Sequence, residues 1–325
     1  MEKKPSVAYT PKICTIEAPC KINLHLAIGG KRPDGFHSLE SIFASVALAD
    51  TLYFESAGKE WDSVLSVNWE IPQREYRENL IPPENNLILR AISLFRDRTG
   101  FNSALKIRLT KRIPIGSGLG GGSSDAASTL LALNSLAGGA LNTEELKAMA
   151  AQLGSDVPFF LTGGGAFVSG RGELIKPVKL PEGLWVVLSK PPFPSDTVLA
   201  YRLLDEARER AGHQSPVSGD HSGKALIRAL KEAPEAWPFR NDFLPVLLEG
   251  AEGEQGAKSG AYRALLDTFQ NKGACFSGLT GSGSCCFGIF QDRAQAEKAE
   301  KALCGKGNFT RLTFFLAHSA KPVLK

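Results

Sequence analysis

The chain has 325 residues, of which 43% are hydrophobic and 22% charged, and its formal net charge at pH 7 is +4. This length suffices for a large core and favours two domains, and the composition is that of a soluble globular protein. The basic residues are scattered, which gives no indication of a nucleic-acid surface, and no apolar run reaches the length of a membrane span.

The cysteines and the N-terminus bear on the cellular compartment. The six cysteines form no CxxC pair and have no histidine cluster beside them, so neither a zinc site nor a disulfide framework is expected. The N-terminal segment MEKKPSVAYTPK lacks the apolar core of a secretory signal. We therefore expect a cytoplasmic protein with reduced thiols.

Residues 20–30, CKINLHLAIGG, alternate between apolar and polar side chains. This period predicts a strand with an apolar stripe on one face and Lys21, Asn23 and His25 together on the other. A lysine beside an asparagine suits an anion or a polar substrate. Taken alone, the segment favours an ordinary solvated strand face, so both interpretations stay open.

A turn signal, Pro33-Asp34-Gly35, follows this strand and leads directly to Phe36 and His37. An aromatic ring can stack on a base while an imidazole hydrogen-bonds to its edge. The pair is therefore a candidate for base recognition, with Phe43 a little further along. Ordinary edge and core residues would give the same pattern.

The most glycine-rich segment, KRIPIGSGLGGGSSDAASTLLALNSL, spans residues 111–136. It follows an alternating strand at 105–110 and leads into good helix formers, which Ser123 or Ser124 is expected to cap. Glycine lets the backbone approach a ligand closely, and a helix N-terminus offers free N–H groups to an anion. We predict a phosphate-binding loop rather than a plain connector. Its candidate nucleotide-binding residues are Pro114, Ile115, Gly116, Ser117, Gly118, Leu119, Gly120, Gly121, Gly122, Ser123 and Ser124.

The loop does not fit the commonest phosphate-binding classes. No GK[ST] closes it as in a Walker A loop, and the chain has no HRD or DFG triplet of a protein kinase. Gly116, Gly118 and Gly121 match GxGxxG, but the acidic residues about 20 positions on, Glu144 and Glu145, fall in a predicted helix. The dinucleotide-binding interpretation is therefore weakly supported.

Asp156 lies between a predicted helix end and the apolar run VPFFL. A buried carboxylate must be paired or solvated, and Lys21 is a candidate partner. Alternatively, Asp156 caps a short helix started by Pro158. Both interpretations are compatible.

Several further elements are predicted around these motifs. Helices are expected from Leu87 to Gly100 and from Thr143 to Leu153, the second with a capping box from Asn142 and Glu145. The remaining predictions are strands at 63–69, 184–188 and 311–316, helices at 224–232, 242–250, 258–271 and 293–303, surface loops at 213–223 and 250–259, and a second glycine loop at 278–290 that also suits a hairpin.

Five segments in this order resemble the GHMP small-molecule kinases: APCKINLHL (18–26), GKRPDGFHSLESIF (30–43), PIGSGLGGGSSDAA (114–127), GSDVPFFLTGGGAFVSGRGE (154–173) and GLTGSGSCCFG (278–288). NDFLP (241–245) is a weaker sixth. The KIN strand joined to a DGFH turn resembles the branch of the family whose substrate is a methylerythritol carrying a cytidine diphosphate. Cys20 and Phe36 stand where that branch often has alanine and tyrosine.

The resemblance implies an α+β chain of two domains with the active site in the cleft between them. The first, residues 1–175, would be a ribosomal-protein-S5-like ATP-binding domain, and the second, residues 176–325, a ferredoxin-like substrate domain. Lys21 and Asp156 would be the catalytic pair, with ATP and Mg²⁺ at the glycine loop. The implied substrate-binding residues are Asn23, Phe36, His37, Phe43 and Tyr201.

Three other functions stay open at this point. A mevalonate- or homoserine-type kinase would keep the glycine loop without needing the DGFH turn. An NAD(P)-dependent oxidoreductase would bind its cofactor at the segment that matches GxGxxG. A non-catalytic protein would still bind a nucleotide but would have an inactive catalytic site. In every case the expected ligand is a small molecule, with no nucleic-acid or membrane partner, and we expect a monomer or homodimer.

Overall fold

The computed structural model describes residues 11–33, 35–57, 63–71, 82–212, 223–249, 253–305 and 307–325. Two sheets form its centre. The first has seven strands: β1 (Ile13–Lys31), β2 (His37–Ala57), β3 (Val64–Trp69), β4 (Ala104–Lys111), β5 (Gly165–Gly170), β6 (Leu174–Val178) and β11 (Val323–Leu324). The second has four: β7 (Trp185–Lys190), β8 (Phe276–Leu279), β9 (Cys286–Phe290) and β10 (Phe309–Phe314).

The two sheets differ in connectivity. In the first, the order is β11-β1-β2-β4-β3, and β2 also pairs with β5, which pairs with β6. Within it, β3 and β4 run parallel, whereas the other pairs are antiparallel. The second sheet is antiparallel throughout, in the order β10-β7-β9-β8. The long β1–β2 pair lies at the centre of the first sheet and carries several candidate site residues.

Helices cover the outer faces of both sheets. The first sheet packs against α1 (Leu87–Thr99), α2 (Gly121–Leu136), α3 (Thr143–Leu153) and α4 (Val157–Thr162). The second sheet packs against α5 (Thr197–Ala211), α7 (Phe243–Leu248), α8 (Gly253–Asn271) and α9 (Arg293–Leu303), and the short α6 (Lys224–Ala229) joins the core between the sheets. That middle core brings Ile22 of β1 together with Leu188 and Phe287 of the second sheet.

Most predicted elements are present. The strand at 63–69 is β3, and the helices expected from Leu87 and Thr143 are α1 and α3. The capping box is confirmed, because Asn142 accepts the N–H of Glu145 while the Glu145 carboxylate accepts that of Asn142. The second glycine loop joins β8 to β9 as a hairpin.

Two predictions about the elements are wrong. His25 does not share the face of Lys21 and Asn23, because a β-bulge shifts the register between Asn23 and His25 and turns His25 to the opposite face. The surface loop predicted at 250–259 is largely helical, since α8 begins at Gly253. The loop predicted at 213–223 lies, except for Gly223, outside the described residues.

The domain boundary at residue 175 stays a prediction. That position lies inside β6, which pairs with β5 in the first sheet. After the second sheet is complete, the chain also returns to the first, where β11 pairs with β1. No helix in the described part of the chain is long and apolar enough to cross a membrane.

Candidate active site

The glycine loop connects β4 to α2. Its backbone adopts positive φ at Gly116, Gly118 and Gly120, a conformation that glycine tolerates without penalty. At Gly118 a Cβ would lie 2.3 Å from the Thr280 carbonyl oxygen. Glycine is therefore required here both by the turn and by the close approach of the second glycine loop.

Helix α2 begins inside the glycine run and not at the serines. Its N-cap is Gly120, and no side chain of the described residues caps it, so the predicted cap by Ser123 or Ser124 is wrong. The Ser124 hydroxyl instead donates to the Pro19 carbonyl oxygen at 2.7 Å. The N–H groups of Gly121, Gly122 and Ser123 precede the first intrahelical bond, from Ser124 to Gly120, and remain available to an anion.

A cavity of about 370 Å³ opens beside this loop. Apolar side chains from β3 and the start of α1, among them Trp69 and Leu87, form one side of it. The glycine loop and the first turn of α2 form the other. A flat apolar wall opposite free backbone N–H groups suits a ligand that joins an aromatic base to phosphates.

Lys21 lies next to the glycine loop, because its backbone N–H donates to the Leu119 carbonyl oxygen at 2.9 Å. Its ammonium donates to the Asn23 side-chain oxygen at 2.7 Å. The same ammonium lies 3.5 Å from a carboxylate oxygen of Asp156 and 4.6 Å from the centroid of the Phe43 ring. The strand prediction thus placed Lys21 and Asn23 correctly on one face, and this face is buried, not solvated.

Asp156 occupies the N-cap position of α4, with Pro158 in the first turn. Within the described residues, its carboxylate makes no capping hydrogen bond. It points instead to Lys21, and its side chain keeps one third of its surface exposed. Asp156 therefore offers an accessible carboxylate beside a buried ammonium.

Asn23 connects the catalytic face to the second glycine loop. Its side-chain oxygen accepts the N–H of Gly281 at 2.9 Å and the hydroxyl of Thr280 at 3.1 Å, besides the Lys21 ammonium. Its amide nitrogen donates to the Ser41 hydroxyl. These bonds connect β1 to the second glycine loop through Asn23. The contact of Asn23 with a substrate stays a prediction.

Two of the candidate base-recognition residues, His37 and Tyr201, stack on each other near Asp156, whereas Phe36 and Phe43 have other partners. The His37 ring stacks on Tyr201 with centroids 5.0 Å apart, and its Nε2 lies 3.4 Å from a carboxylate oxygen of Asp205. Burial, followed by the negative charges of Asp156 and Asp205, raises the pKa of the Tyr201 hydroxyl above its usual value. Phe36 is 58% exposed, with the Arg171 guanidinium 5.1 Å from its ring centroid. Phe43 is buried against Phe159.

Comparison with known proteins assigns the chain to a family. Residues 86–164 match the GHMP kinases N-terminal domain and residues 240–308 the GHMP kinases C-terminal domain. A 4-diphosphocytidyl-2-C-methyl-D-erythritol kinase of Synechococcus sp. strain CC9902 is 38% identical over 296 residues, covering 90% of this chain and 92% of the relative. The chain belongs to the 4-diphosphocytidyl-2-C-methyl-D-erythritol kinases, within the GHMP kinase family.

Other similar proteins agree with this family. The enzyme of the same name from Prosthecochloris aestuarii is 36% identical over 309 residues, covering 93% of this chain and 99% of the relative. A crystal structure of 4-(cytidine 5'-diphospho)-2C-methyl-D-erythritol kinase superposes with a TM-score of 0.71 at 32% identity, over 92% of this chain and 98% of that one. A homoserine kinase from Cytophaga hutchinsonii has a TM-score of 0.64 at 17% identity, with full coverage of both chains, which shows a shared fold alone.

These findings confirm the predicted α+β GHMP kinase fold and the prediction of an ATP-dependent small-molecule kinase. They favour that function over the oxidoreductase alternative. The roles given to individual residues of this GHMP kinase stay predictions, although Lys21, Asn23, Asp156 and the glycine loop do lie together.

Two groups of residues at this GHMP kinase site escaped prediction. Thr280, Gly281 and Ser282 of the second glycine loop hold Asn23 and the segment after β7, and the glycine pattern at 278–284 was the available signal. Asp50, Lys111 and Asp125 form a buried ionic cluster beside the cavity. Their only sequence signal was three charged residues in otherwise apolar or glycine-rich surroundings.

Proposed function

We propose that this chain transfers the γ-phosphoryl group of ATP to the 2-hydroxyl of 4-diphosphocytidyl-2-C-methyl-D-erythritol, a step of the non-mevalonate route to isoprenoid precursors. The observation that carries the proposal is the ion pair between Lys21 and Asp156. It lies between a glycine loop with free helix N–H groups and a cluster of aromatic rings suited to a pyrimidine.

The glycine loop and the adjoining cavity would bind ATP. Phosphates would lie at the N–H groups of Gly121, Gly122 and Ser123, where the positive end of the α2 dipole favours negative charge. The base would lie against the apolar wall that includes Trp69 and Leu87. Lys21 contacts the loop at Leu119, so its ammonium would be available to the phosphates of a nucleotide bound there.

Mg²⁺ would enter together with ATP. Among the described residues, no group of three or more acidic, histidine or cysteine side chains could hold a metal ion. Such a site still fits Mg²⁺, because this ion keeps several waters and binds mainly through substrate phosphates. Its contribution would be to neutralise charge on the β- and γ-phosphates.

Asp156 would accept or orient the proton of the attacking hydroxyl, and Lys21 would stabilise charge on the transferred group. Phosphoryl transfer requires alignment and charge stabilisation more than covalent chemistry from the protein. The Lys21 ammonium lies 3.5 Å from the Asp156 carboxylate, whose side chain keeps one third of its surface exposed. Asp156 therefore stays available as a proton acceptor.

The cytosine would bind beside His37 and Tyr201, with Phe36 as a second stacking surface. The Phe36 ring is 58% exposed and would stack on the base from the solvent side. Asn23 and Phe43 would shape the floor of the site beneath the Lys21 ammonium. The protein is proposed to act in the cytoplasm, as a monomer or homodimer.

The test is to follow ADP release from Mg-ATP with 4-diphosphocytidyl-2-C-methyl-D-erythritol, and separately with homoserine and mevalonate. We expect ADP with the first acceptor only, and a loss of about 10²–10⁴-fold in kcat for Asp156→Asn. The matched control is Asp267→Asn, which changes an exposed acid of α8 away from the Lys21 pair and the aromatic residues. Turnover of Asp156→Asn within threefold of wild type, in a folded protein, would reject the base assignment.

A further inference from the structure

A buried ionic cluster lies beside the proposed nucleotide cavity. Lys111, at the end of β4, donates to Asp50 of β2 and, at 2.8 Å, to a carboxylate oxygen of Asp125 in α2. The exposed fractions of the three side chains are 7% for Lys111, 0% for Asp50 and 5% for Asp125. One ammonium is thus shared by two carboxylates, and the fully ionised cluster carries a charge of −1.

The cluster holds both ends of the glycine loop. The second oxygen of Asp50 accepts the backbone N–H groups of Arg112 and Ile113, which precede the loop. Asp125 lies in the second turn of α2, which follows the loop. Through Lys111, Asp50 therefore fixes the distance between the strand that enters the loop and the helix that leaves it.

The two carboxylates have different surroundings. Asp50 accepts three hydrogen bonds, so both of its carboxylate oxygens have partners. Asp125 uses one oxygen for Lys111, whereas its Oδ1 is buried and has no hydrogen-bond partner within the described residues. Asp125 and Lys111 both line the cavity beside the glycine loop.

We propose that Asp125 is a positioning residue for the glycine loop, and that its carboxylate takes up a proton when nucleotide binds. This inference rests on the proposed binding of ATP in the adjoining cavity. The triphosphate is a polyanion, and a buried cluster of charge −1 opposes its approach. One proton on Oδ1 makes the cluster neutral and changes a buried acceptor that has no partner within the described residues into an O–H donor.

The charges around Asp125 favour the uptake of a proton by its carboxylate. Burial raises the pKa of Asp125, the Lys111 ammonium lowers it, and the Asp50 charge raises it again, to about 7. Burial lowers the pKa of Lys111, but both carboxylates raise it, to about 12, so the lysine stays charged. Charged side chains of the helices packed on α2 have other partners: Arg90 bonds to Gln152, Arg98 to Glu145, and Asp156 pairs with Lys21.

The experiment is calorimetric titration of ATP, without acceptor, into the intact protein at pH 7.5 in buffers of different ionisation enthalpy. If the Asp125 carboxylate takes up a proton with the nucleotide, wild type should take up more protons than Asp125→Asn, by up to one per ATP bound. Titration of the ATP phosphates is common to both proteins and cancels. Asp267→Asn, which changes an exposed acid of α8, is the matched control and should behave as wild type.

The affinity gives a second readout that a merely structural role would not produce. As the pH rises from 7 to 8, the Kd of wild type for ATP should rise relative to that of Asp125→Asn, by at most tenfold for the uptake of one proton. At pH 8 the variant should bind ATP at least as tightly as wild type, because its cluster carries no net negative charge. Loss of loop structure would instead weaken binding at every pH.

The outcomes separate this inference from the proposed function. If the heat of ATP binding to wild type does not depend on the buffer, the proposed role of Asp125 is overturned. The same holds if Asp125→Asn takes up as many protons as wild type. Either result leaves the kinase proposal intact. If Asp125→Asn fails to fold, Asp125→Ser takes its place, because the proton uptake of wild type alone includes the contribution of the ATP phosphates. Absence of any ATP binding at pH 7.5 rejects the ATP site itself, and with it both proposals.

Discussion

Lys21 shows how one side chain can be buried, charged and reactive. Its ammonium has the Asn23 oxygen and Asp156 as polar partners, and it lies over the face of the Phe43 ring. The negative face of an aromatic ring attracts a cation without supplying a proton acceptor. The arrangement holds the charge in place and leaves part of it directed at the cleft.

Replacing Lys21 by methionine should abolish most activity and leave folding nearly intact. The stem of the side chain is kept, and Asp156 is one third exposed, so water can solvate the carboxylate once the ammonium is gone. We expect kcat to fall by about 10²–10⁴-fold, because charge stabilisation and the ionised base are both lost.

The measurement is steady-state ADP release together with a thermal melt. Lys106→Met is the matched control, since Lys106 also pairs with an acid, Glu55 at 3.7 Å, but on an exposed part of the sheet. A kcat for Lys21→Met within threefold of wild type would show that the ammonium has no part in the transfer.

At the scale of elements, the site is an assembly of two loops that come from different sheets. The first glycine loop follows β4, and the second joins β8 to β9. They contact each other at Gly118, whose carbonyl oxygen accepts the Thr280 hydroxyl at 3.2 Å, and at Ser117, whose carbonyl accepts the Cys285 N–H. The position of one loop therefore depends on the other.

Gly118→Ala should separate the two loops. A Cβ at this residue would lie 2.3 Å from the Thr280 carbonyl oxygen and 2.8 Å from that of Gly283, both of them backbone atoms that cannot move alone. We expect the KM for ATP to rise at least tenfold. The free energy of unfolding should decrease by about 2–4 kcal/mol, and the thermal midpoint should fall by several degrees as a result.

Gly138→Ala is the control for the backbone effect alone. Gly138 has a φ of 76°, close to the 73° of Gly118, but a Cβ there would meet nothing within 4 Å. It should lose only the free energy of a strained φ, roughly 1 kcal/mol, with an unchanged KM. Equal effects of the two substitutions on KM would show that the contact between the loops is unimportant for ATP.

Periodicity and capping chemistry predicted most elements, and the failures have local causes. The polar and apolar alternation of β1 continues through Leu24, so nothing in the sequence marks the bulge that turns His25 away. The start of α8 is polar and glycine-containing, and its helical state depends on tertiary contacts such as the Ser259 hydroxyl bond to Leu248. Helix α2 begins at glycines because the loop geometry, not propensity, sets its start.

The candidate site was harder to predict than the fold. Lys21 and Asp156 are 135 positions apart, and strand periodicity alone could not bring them together. The family resemblance supplied that pair, and the structure places the two charges 3.5 Å apart. The Asp50–Lys111–Asp125 cluster was missed because its members are distributed over three elements, and their proximity follows only from the packing of α2 on the sheet.

At the scale of the whole molecule, the two sheets are joined by a shared core and by backbone hydrogen bonds. The N–H of Leu26 in β1 donates to the Arg240 carbonyl oxygen at 2.7 Å. The Arg240 N–H in turn donates to Nδ1 of His25 at 3.2 Å, and the His25 ring packs edge-on against Phe239. His25 thus contributes to the junction between β1 and the segment before α7.

This junction should make the stability of the whole molecule depend on pH. Burial, assisted by the positive charge of Arg240 and opposed by the negative charge of Asp242, lowers the pKa of His25 to about 4. In the unfolded chain the pKa returns to about 6.5. Between pH 4 and 6.5 the His25 imidazole binds a proton in the unfolded state but not in the folded state. The contribution of His25 to the free energy of unfolding is therefore fully present above pH 6.5. It is lost as the pH falls toward 4, by about 3 kcal/mol in total.

The check is urea unfolding of wild type and His25→Asn at pH 7.5, 6, 5 and 4. Asparagine keeps an acceptor for the Arg240 N–H but has no titrating group, so its stability should fall less steeply on the acid side. The free energy of unfolding of wild type minus that of the variant should therefore decrease from pH 6.5 to 4 and be constant above pH 7. Other acids titrate equally in both proteins, so parallel curves would mean that His25 is not the group that couples protonation to unfolding.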